Sequence, residues 1–339
     1  MTAGDWRVSR EEAMRALETL KGAQHVLLPS HQNVDADGLA TPLAMALALQ
    51  TFGVNATVVV SDGQIPRSLQ FLPRIDTVLA YGTQPLPAYD MLCLLDCSDR
   101  RRLGQFYSDD PDRVSGSTPI VNIDHHVTND GYGVVNIVEP TASATAEVAA
   151  DVFALWGVEA DVSIAQCLLA GIYGDTLGLR TSSTTSRTMR IAADLIDAGA
   201  NPEPIVDALF RVKPKSTVCL WERALSNVNW TGRVIWTELT SEMFSDCRAV
   251  TSEAEGLVNF LAGTDGSLVA AILYGTSTGW RVSMRSLPED VDVAAIASEF
   301  GGGGHPRAAG CEIEGTEEAK ERFLTRVSEL AASSHRSAG

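Results

Sequence analysis

The chain has 339 residues, of which 45% are hydrophobic, and this length fits two globular domains better than one small core. No stretch approaches the roughly 20 uninterrupted apolar residues of a membrane span, and the first residues lack a signal-peptide core, so a cytoplasmic protein without membrane attachment is expected. With 26 basic and 43 acidic residues, the net charge of −17 argues against a long nucleic-acid duplex as partner, while a short nucleotide stays open.

The first part of the chain alternates apolar strands with helices, the pattern of an open α/β sheet. Residues 9–20 begin with Ser9-x-x-Glu12, a capping-box pattern, and predict a flanking helix. The further predicted elements are strands over 25–30, 56–61, 77–80 (an edge strand), 91–95 and 119–123, and helices over 39–51, near 68, and over 143–156, 162–173, 184–199 and 203–211. Residues 1–211 are therefore predicted to form a doubly wound, mostly parallel α/β domain.

The alternation stops near residue 213, and a connector is predicted over 212–228. Beyond it, the predicted elements are strands over 233–239, 267–274 and 280–286, helices over 252–261, 293–300 and 316–332, and a frayed tail over 335–339. We expect residues 229–334 to form a smaller α/β domain with a mixed sheet, and a cleft between the two domains.

The stretch from His31 to Gly38 directly follows the first predicted strand and contains His31, Asp35 and Asp37. In open α/β sheets, ligands bind at this end of the strands. Alternation by two residues would send Asp35 and Asp37 the same way in an extended loop, so each could serve a different one of two adjacent cations. The alternative is a polar loop in which Asp37 caps the next helix and His31 is merely solvated.

Several further apolar elements of the first domain also end in potential metal ligands. The residues are Asp96, Asp124, His125, His126 and Asp175. Like charges a few ångströms apart cannot all stay ionised without compensation, which divalent cations provide. Carboxylates and imidazoles without thiolate favour two divalent cations, Mn²⁺ first, with Mg²⁺, Co²⁺ or Fe²⁺ as alternatives, over a structural Zn²⁺. For any single Asp, a cap or turn role is the competing interpretation.

The second domain contains a glycine-rich segment, in which Gly302, Gly303 and Gly304 precede His305. Glycines allow close backbone approach and expose amide N–H groups, which favours a cradle for phosphate or carboxylate; a flexible turn is the alternative. Arg285, at the end of a predicted strand, could contact the same anion, or could be an exposed strand-end charge.

The six cysteines form no C-x-x-C pair and mostly lie in apolar segments, so reduced core thiols are expected. Neither a G-x-x-x-x-G-K-[ST] loop nor a G-x-S-x-G elbow occurs, and Cys97 shows no sign of activation as a nucleophile. Covalent catalysis by Cys or Ser is therefore not expected.

Taken in order, these motifs resemble the DHH phosphoesterase superfamily, which is named for the triplet that here is Asp124-His125-His126. The first motif resembles His31-x-Asn33-x-Asp35-x-Asp37-Gly38, the second Leu-Leu-Asp96, and the fourth Gly174-Asp175-Thr176. The segment Gly301 to Gly310 is similar to the glycine-rich His motif of the C-terminal domain associated with this superfamily.

Within the superfamily, the length and domain pair look most like the nanoRNase/pAp phosphatase group. This resemblance implies a phosphohydrolase that degrades RNAs of about two to five nucleotides to mononucleotides and converts 3′-phosphoadenosine 5′-phosphate (pAp) to AMP with two divalent cations. Partners would be short single-stranded RNA and small nucleotides, with a homodimer left open. The alternatives are a cyclic-dinucleotide phosphodiesterase, a pyrophosphate-type phosphatase and a non-catalytic nucleotide-binding module.

The resemblance also implies roles for individual residues. One metal would be held by His31, Asp35 and Asp96. The other would be held by Asp37, Asp96, His125 and Asp175, so that Asp96 bridges. Asp124 and His126 would fix His125 and face the substrate phosphate. Arg285, His305 and the amides of Gly302 to Gly304 would bind the far phosphate or base.

Overall fold

The computed structural model describes residues 6–254, 256–288 and 290–337. The chain divides into two compact units, Met1–Val212 and Lys213–Gly339. The segment predicted as a connector contains a 12-residue helix, Lys215–Ser226, whose buried face packs into the core of the second unit. No helix in the described part of the chain combines the length and apolar character needed to cross a bilayer.

The first unit is built on a parallel sheet with the strand order β3-β2-β1-β4-β5-β6. Its strands are β1 (His25–Pro29), β2 (Asn55–Val60), β3 (Leu79–Ala80), β4 (Met91–Leu95), β5 (Ile120–Asp124) and β6 (Val135–Val138). The order reverses between β1 and β4, which is the point where open α/β sheets bind ligands. The prediction of a doubly wound parallel sheet is confirmed, and β3 is an edge strand as expected.

Helices cover this sheet, and most begin within a few residues of the predicted positions. They are α1 (Arg10–Lys21), α2 (Ala36–Thr51), α3 (Gly104–Ser108), α4 (Asp112–Ser115), α5 (Thr145–Trp156), α6 (Val162–Asp175), α7 (Ser186–Asp197) and α8 (Pro202–Val206). Shorter turns of 3-10 helix cover 67–69, 75–77 and 100–103, and a π-helical turn covers 207–211.

The first motif, His31 to Gly38, is positioned by the beginning of α2 and by the packing of α2 on α6. The helix begins at Ala36, three residues before its predicted start, and Asp35 is its N-cap, with a side chain that accepts a hydrogen bond from the N–H of Gly38. The alternative in which Asp37 caps the helix and His31 is solvated is therefore wrong, since Asp37 lies inside α2 and both side chains are buried. Close packing of α2 on α6 depends on Gly174, where a Cβ would lie 2.7 Å from that of Ala36.

The second unit is built on a mixed sheet with the order β11-β12-β10-β9-β8-β7, in which β8 and β9 are parallel and the other neighbours antiparallel. Its strands are β7 (Asn229–Thr231), β8 (Val234–Leu239), β9 (Val269–Gly275), β10 (Gly279–Ser286), β11 (Gly303–His305) and β12 (Ala308–Glu314). Its helices are α9 (Lys215–Ser226), α10 (Ser241–Cys247), α11 (Leu257–Ala262), α12 (Val293–Ser298) and α13 (Glu317–Ser337). Separate apolar clusters form on the two faces of the sheet, one with α12 and α13 and the other with α9, α10 and α11.

Three expectations for the second unit need correction. The glycine-rich segment is a β-hairpin, since β11 pairs with β12, and so is not the flexible turn considered as its alternative. Helix α13 extends to Ser337, so the predicted tail is helical at least that far. The structure joins Cys219 and Cys247, on the packed helices α9 and α10, in a disulfide with Cα atoms 5.6 Å apart. The expectation of reduced thiols is wrong for this pair, because its partners are distant in sequence and only the fold brings them together.

Candidate metal centre

The ends of β1, β4 and β5, the beginning of α2 and the end of α6 bring the predicted ligands of the first unit together. Three groups of side chains each offer donor atoms that lie within 4.8 Å of one another. The groups are His31, Asp35 and Asp96; Asp37, Asp96, His125 and Asp175; and Asp96, His125 and His126. Asp96 is common to all three, so it lies at the centre of the cluster.

The imidazole of His31 is oriented for ligation. Its Nδ1 lies 2.8 Å from the carbonyl oxygen of Gln32, to which it can donate a hydrogen bond, leaving a lone pair on Nε2. Nε2 lies 3.7 Å from Oδ1 of Asp35 and 3.4 Å from Oδ2 of Asp96. It is buried and has no hydrogen-bond partner among the described residues. A buried acceptor of this kind fits a metal ligand. Gly38 is required beside it, because a Cβ at that position would collide with Nε2.

The second group lies on the other side of Asp96. Nε2 of His125 is 3.2 Å from Oδ2 of Asp175 and 3.6 Å from Oδ1 of Asp96, while its Nδ1 faces the carbonyl oxygen of Ala142 at 3.3 Å. Asp96 thus turns Oδ2 toward His31 and Oδ1 toward His125, as a bridging carboxylate does. Two adjacent cations could be held in this arrangement.

Asp37 is fixed by the beginning of α5. Its carboxylate accepts hydrogen bonds from the backbone N–H groups of Thr145 (2.6 Å) and Ala146 (3.1 Å) and from the hydroxyl of Thr41 (2.6 Å). The partial positive charge of a helix N-terminus favours a carboxylate there. Thr145 also donates its hydroxyl to Oδ1 of Asp96 at 3.0 Å. Sequence reasoning missed this role of Thr145, although it lies in the segment that follows the triplet.

Asp124 organises the turn that carries the two histidines. Its Oδ1 accepts from the backbone N–H of His125 (2.7 Å) and of His126 (3.1 Å) and lies 2.8 Å from Nδ1 of His126, and its Oδ2 accepts from Nδ2 of Asn129 (2.6 Å). Both oxygens are used locally, so Asp124 positions His126. Asn129 was not predicted; its only sequence signal is an amide side chain five residues after Asp124.

Backbone conformation contributes to the placement of Asp96. Its φ of 58° is in the left-handed region, which is uncommon for a residue other than glycine. The next carbonyl, that of Cys97, accepts hydrogen bonds from the hydroxyl of Tyr132 and from Asn129. These contacts, also missed from the sequence, hold the turn that aims Asp96 into the cluster. Burial raises the pKa of the Cys97 thiol to about 12, which agrees with the absence of a nucleophilic role.

Electrostatics confirm that the carboxylates repel one another. Burial and the charges of Asp96 and Asp175 raise the pKa of Asp37 well above its usual range. Burial, with the charges of Asp96 and Asp35, raises the pKa of Asp175 to about 6. Burial lowers the pKa of His31 and His125, but their carboxylate neighbours outweigh it and raise both to about 10. In the absence of metal, the mutual repulsion of the carboxylates is relieved by bound protons. Divalent cations would displace these protons and supply the compensating charge, so the residues present fit such ions.

We expect the stability of the metal-free protein to fall as the pH rises from about 6 to about 8.5. The pKa values of His31 and His125 are raised from 6.5 to about 10, so each binds more protons in the folded than in the unfolded chain over this range, and this stabilising contribution is lost as the pH rises. The corresponding loss for Asp175, whose pKa is raised from 3.8 to about 6, comes at lower pH. The loss should be on the order of 1 kcal/mol or more, which is about 2–4 °C in Tm for a unit of this size. Thermal unfolding in EDTA measures it. Added Mn²⁺ should stabilise more at the higher pH, and a flat profile in EDTA would contradict the electrostatic argument.

Of the predicted substrate residues of the second unit, Arg285, Gly303 and His305 lie on one face of its sheet, whereas Gly304 falls on the opposite face and Gly302 precedes β11. Arg285 on β10 is paired with Ala308 on β12, which is paired with His305 on β11. Directly opposed residues of antiparallel strands share a face. Two residues away on each strand, Ser283, Gly310 and Gly303 are paired in the same way. The surface of the sheet next to Arg285 and His305 therefore carries only a serine and two glycines. Gly303 and His305 are exposed.

Comparisons with known proteins match both units. The DHH family, N-terminal domain, matches residues 25–172, and the DHHA1 domain matches residues 244–333. A protein of Thermus thermophilus named bifunctional oligoribonuclease and PAP phosphatase NrnA is 31% identical over 94% of this chain and 94% of its own length. A Bacillus subtilis protein of the same name is 24% identical over 93% of this chain and 97% of its own length.

Solved structures agree on the fold. An exopolyphosphatase-related protein from Bacteroides fragilis superposes with a TM-score of 0.89 over 99% of this chain and all of that chain, at 22% identity. RecJ from Thermus thermophilus, crystallised with Mn²⁺, superposes with a TM-score of 0.56 over 98% of this chain and 56% of that chain, at 13% identity. At such identities these likenesses concern the fold alone.

Proposed function

Because this chain belongs to the DHH family and carries a DHHA1 domain, we propose that it is a two-metal phosphohydrolase that degrades RNAs of about two to five nucleotides to mononucleotides and dephosphorylates pAp to AMP. The observation that carries the proposal is the cluster in which Asp96 joins two ligand groups at the switch point of the sheet. The names of the Thermus and Bacillus relatives, similar to this chain over nearly their whole length, support the substrate class. The cytoplasm and short single-stranded RNA remain the predicted location and partner.

In this proposal the first cation is held by His31, Asp35 and Asp96. The second is held by Asp37, Asp96, His125 and Asp175. The donor set of carboxylates and imidazoles without thiolate favours Mn²⁺, with Mg²⁺ or Co²⁺ as alternatives. When bound, two such cations supply an activated water nucleophile and neutralise charge on the phosphoryl oxygens.

The protein's own side chains orient the reactants. The hydrogen bond between Asp124 and Nδ1 fixes the ring of His126 at the cluster, and its Nε2 is available to donate to a phosphoryl oxygen when protonated. The burial of Asp37 and Asp96 excludes bulk water from the centre, which strengthens charge interactions there. In the second unit, the small-residue row beside Arg285 and His305 leaves room for a base or phosphate.

The function is tested with a substrate panel: 5′-labelled RNAs of two to about twenty nucleotides, pAp, c-di-AMP and pyrophosphate, each with Mn²⁺ and with EDTA. The proposal expects metal-dependent turnover concentrated on the shortest RNAs and pAp. Faster hydrolysis of c-di-AMP or pyrophosphate than of short RNA and pAp would mean that the proposed substrate class is wrong. Turnover of the longest RNAs as fast as that of the shortest would contradict selection for short chains. Nucleotide binding without any turnover would indicate a binding module.

Arg285→Gln is expected to lower kcat/KM for pAp and dinucleotides by about tenfold, mainly through KM. The loss corresponds to one hydrogen bond to a charged phosphate, about 1.5 kcal/mol. Arg281→Gln is a matched control, because Arg281 lies four residues earlier on β10, is exposed and stacks on Tyr274 with its guanidinium 4.5 Å from the ring centre. Steady-state kinetics of both variants measure kcat/KM and KM. Equal losses of kcat/KM in the two variants would show that Arg285 does not contact the substrate.

A further inference from the structure

Asn122 is an unexpected residue for its place in the middle of β5. The strand lies between β4 and β6, and all five of its residues are buried. Asparagine is depleted in strands, and a buried amide costs free energy unless its hydrogen-bonding groups are satisfied. An apolar residue would be the ordinary choice here, so the amide requires an explanation. Alternation along the strand places Asn122 on the same face of the sheet as Asp124, which positions His126.

The amide of Asn122 is satisfied by two other asparagines. Its Nδ2 donates to Oδ1 of Asn129 at 2.9 Å and to Oδ1 of Asn136, its pairing partner on β6, at 3.0 Å. Nδ2 of Asn129 donates back to Oδ1 of Asn122 at 3.2 Å. Both hydrogens and the carbonyl oxygen of the Asn122 side chain are therefore used, and all of them hold the loop between β5 and β6 or the strand that ends it.

Asn129 continues this connection to the candidate site. Its Nδ2 also donates to Oδ2 of Asp124 at 2.6 Å, and its Oδ1 also accepts from the N–H of Gly131 at 2.9 Å. The other oxygen of Asp124, Oδ1, lies 2.8 Å from Nδ1 of His126. A continuous series of hydrogen bonds therefore runs from the buried strand position, through Asn129 and Asp124, to the ring of His126.

The loop between β5 and β6 depends on these bonds for its conformation. Val127 and Thr128 are exposed at its tip, so burial does not fix this part of the chain. Asn136 holds the far end, since its Oδ1 accepts from the N–H of Gly133 at 2.8 Å and its Nδ2 donates to the carbonyl oxygen of Gly133 at 2.7 Å. Asn122 lies between the two attachment points, because it binds both Asn129 and Asn136 and belongs to the strand itself.

We propose that Asn122 is a positioning residue for His126, acting through Asn129 and Asp124. The inference rests on the proposed function, in which Nε2 of His126 donates to a phosphoryl oxygen, and extends it to a residue that is fully buried and so cannot contact the substrate. A histidine carried by an exposed loop keeps one orientation only if the loop is attached to a rigid element, and Asn122 provides that attachment to the sheet. Small displacements of such a group lower the rate of the chemical step.

The kinetic test uses Asn122→Leu, which keeps the branching of the side chain and removes its hydrogen-bonding groups. We expect kcat for pAp to fall about 10- to 100-fold with KM within about threefold of the wild type, because the contact of His126 strengthens as charge develops on the phosphoryl group. Thr237→Val is the control, since it removes a buried hydrogen bond of 2.7 Å from a strand of the second unit. Its kcat should stay within about twofold of the wild type.

A double-mutant cycle with His126→Ala distinguishes positioning from a merely structural role. If Asn122 acts through His126, Asn122→Leu should lower kcat by less than about twofold in the His126→Ala background. The same factor in both backgrounds would overturn the proposal, as would a single variant with the kcat of the wild type. Should Asn122→Leu not fold, Asn129→Ala breaks the same connection at a half-buried loop position and should show the same non-additivity.

Proton NMR of the Mg²⁺-loaded protein gives a measurement that does not depend on turnover. The Nδ1 proton of His126, held by Asp124, should give a downfield resonance that is absent from His126→Ala. We expect this proton to exchange with solvent at least about tenfold faster in Asn122→Leu and at the wild-type rate in Thr237→Val. Unchanged exchange in Asn122→Leu would overturn the proposal. A wild type that shows the resonance but hydrolyses none of the substrate panel would contradict the proposed function, and the exchange rate would still decide whether Asn122 positions His126.

Discussion

Asp96→Asn is expected to lower turnover of pAp and short RNA by about 10³-fold, because the substitution removes the carboxylate that faces both ligand groups. Its Oδ2 lies 3.4 Å from Nε2 of His31 and its Oδ1 lies 3.6 Å from Nε2 of His125. An amide keeps the shape but offers only one oxygen and no charge, so both cations would be held more weakly. The loss of several kcal/mol of charge stabilisation in the transition state gives a rate effect of this size.

The metal dependence of stability distinguishes this explanation from unfolding. Mn²⁺ at about 100 times its dissociation constant should stabilise the wild type by about 2.7 kcal/mol for each site and should have little effect on Asp96→Asn. Asp99→Asn is the control, since Asp99 lies three residues along the same turn and binds the exposed Arg101. Turnover by Asp96→Asn within tenfold of the wild type would show that Asp96 does not bridge two cations.

The centre of this cluster could be predicted because its signals are local. His31, Asp96 and Asp124 each end a strongly apolar strand, and neighbouring parallel strands deliver their carboxyl ends to one edge of the sheet. The order of motifs then identified the family. The prediction of the cluster and the identification of the family both depend on residues that are close in sequence to the strand that positions them.

Features that depend on distant contacts were missed. The edge strand β6 was not predicted, although three of its four residues are Val or Ile, because the run is short and its strand conformation depends on pairing with β5. The left-handed φ of Asp96 is stabilised by Asn129 and Tyr132 through the Cys97 carbonyl, about thirty residues away in sequence. The hairpin of β11 and β12 was interpreted only as a glycine-rich loop, because glycine carries no strand preference of its own.

A buried ion-pair network behind the cluster determines where α5 begins. The guanidinium of Arg187 on α7 donates to Glu147 at 3.0 Å and also binds Asp151, and both carboxylates are almost fully buried. Glu147 further accepts from the backbone N–H of Ser143 at 3.1 Å and from its hydroxyl at 2.7 Å. Ser143 lies two residues before Thr145, whose N–H holds Asp37. The network therefore connects the packing of α7 to the position of a candidate ligand.

Arg187→Met is expected to destabilise the first unit by about 3 kcal/mol, because it removes the guanidinium that pairs with the buried Asp151 and leaves Glu147 only the more distant guanidinium of Arg7, at 3.4 Å. Urea unfolding measures the loss, and Arg211→Met is the control: Arg211 pairs with Asp207 at 2.9 Å but is 68% exposed, so its removal should cost less than about 1 kcal/mol. In the folded fraction, Arg187→Met should also bind Mn²⁺ more weakly, since the start of α5 that holds Asp37 is no longer fixed. Equal losses in the free energy of unfolding for the two variants would show that the network does not stabilise the fold. Unchanged Mn²⁺ affinity of Arg187→Met would show that the network does not affect the position of Asp37.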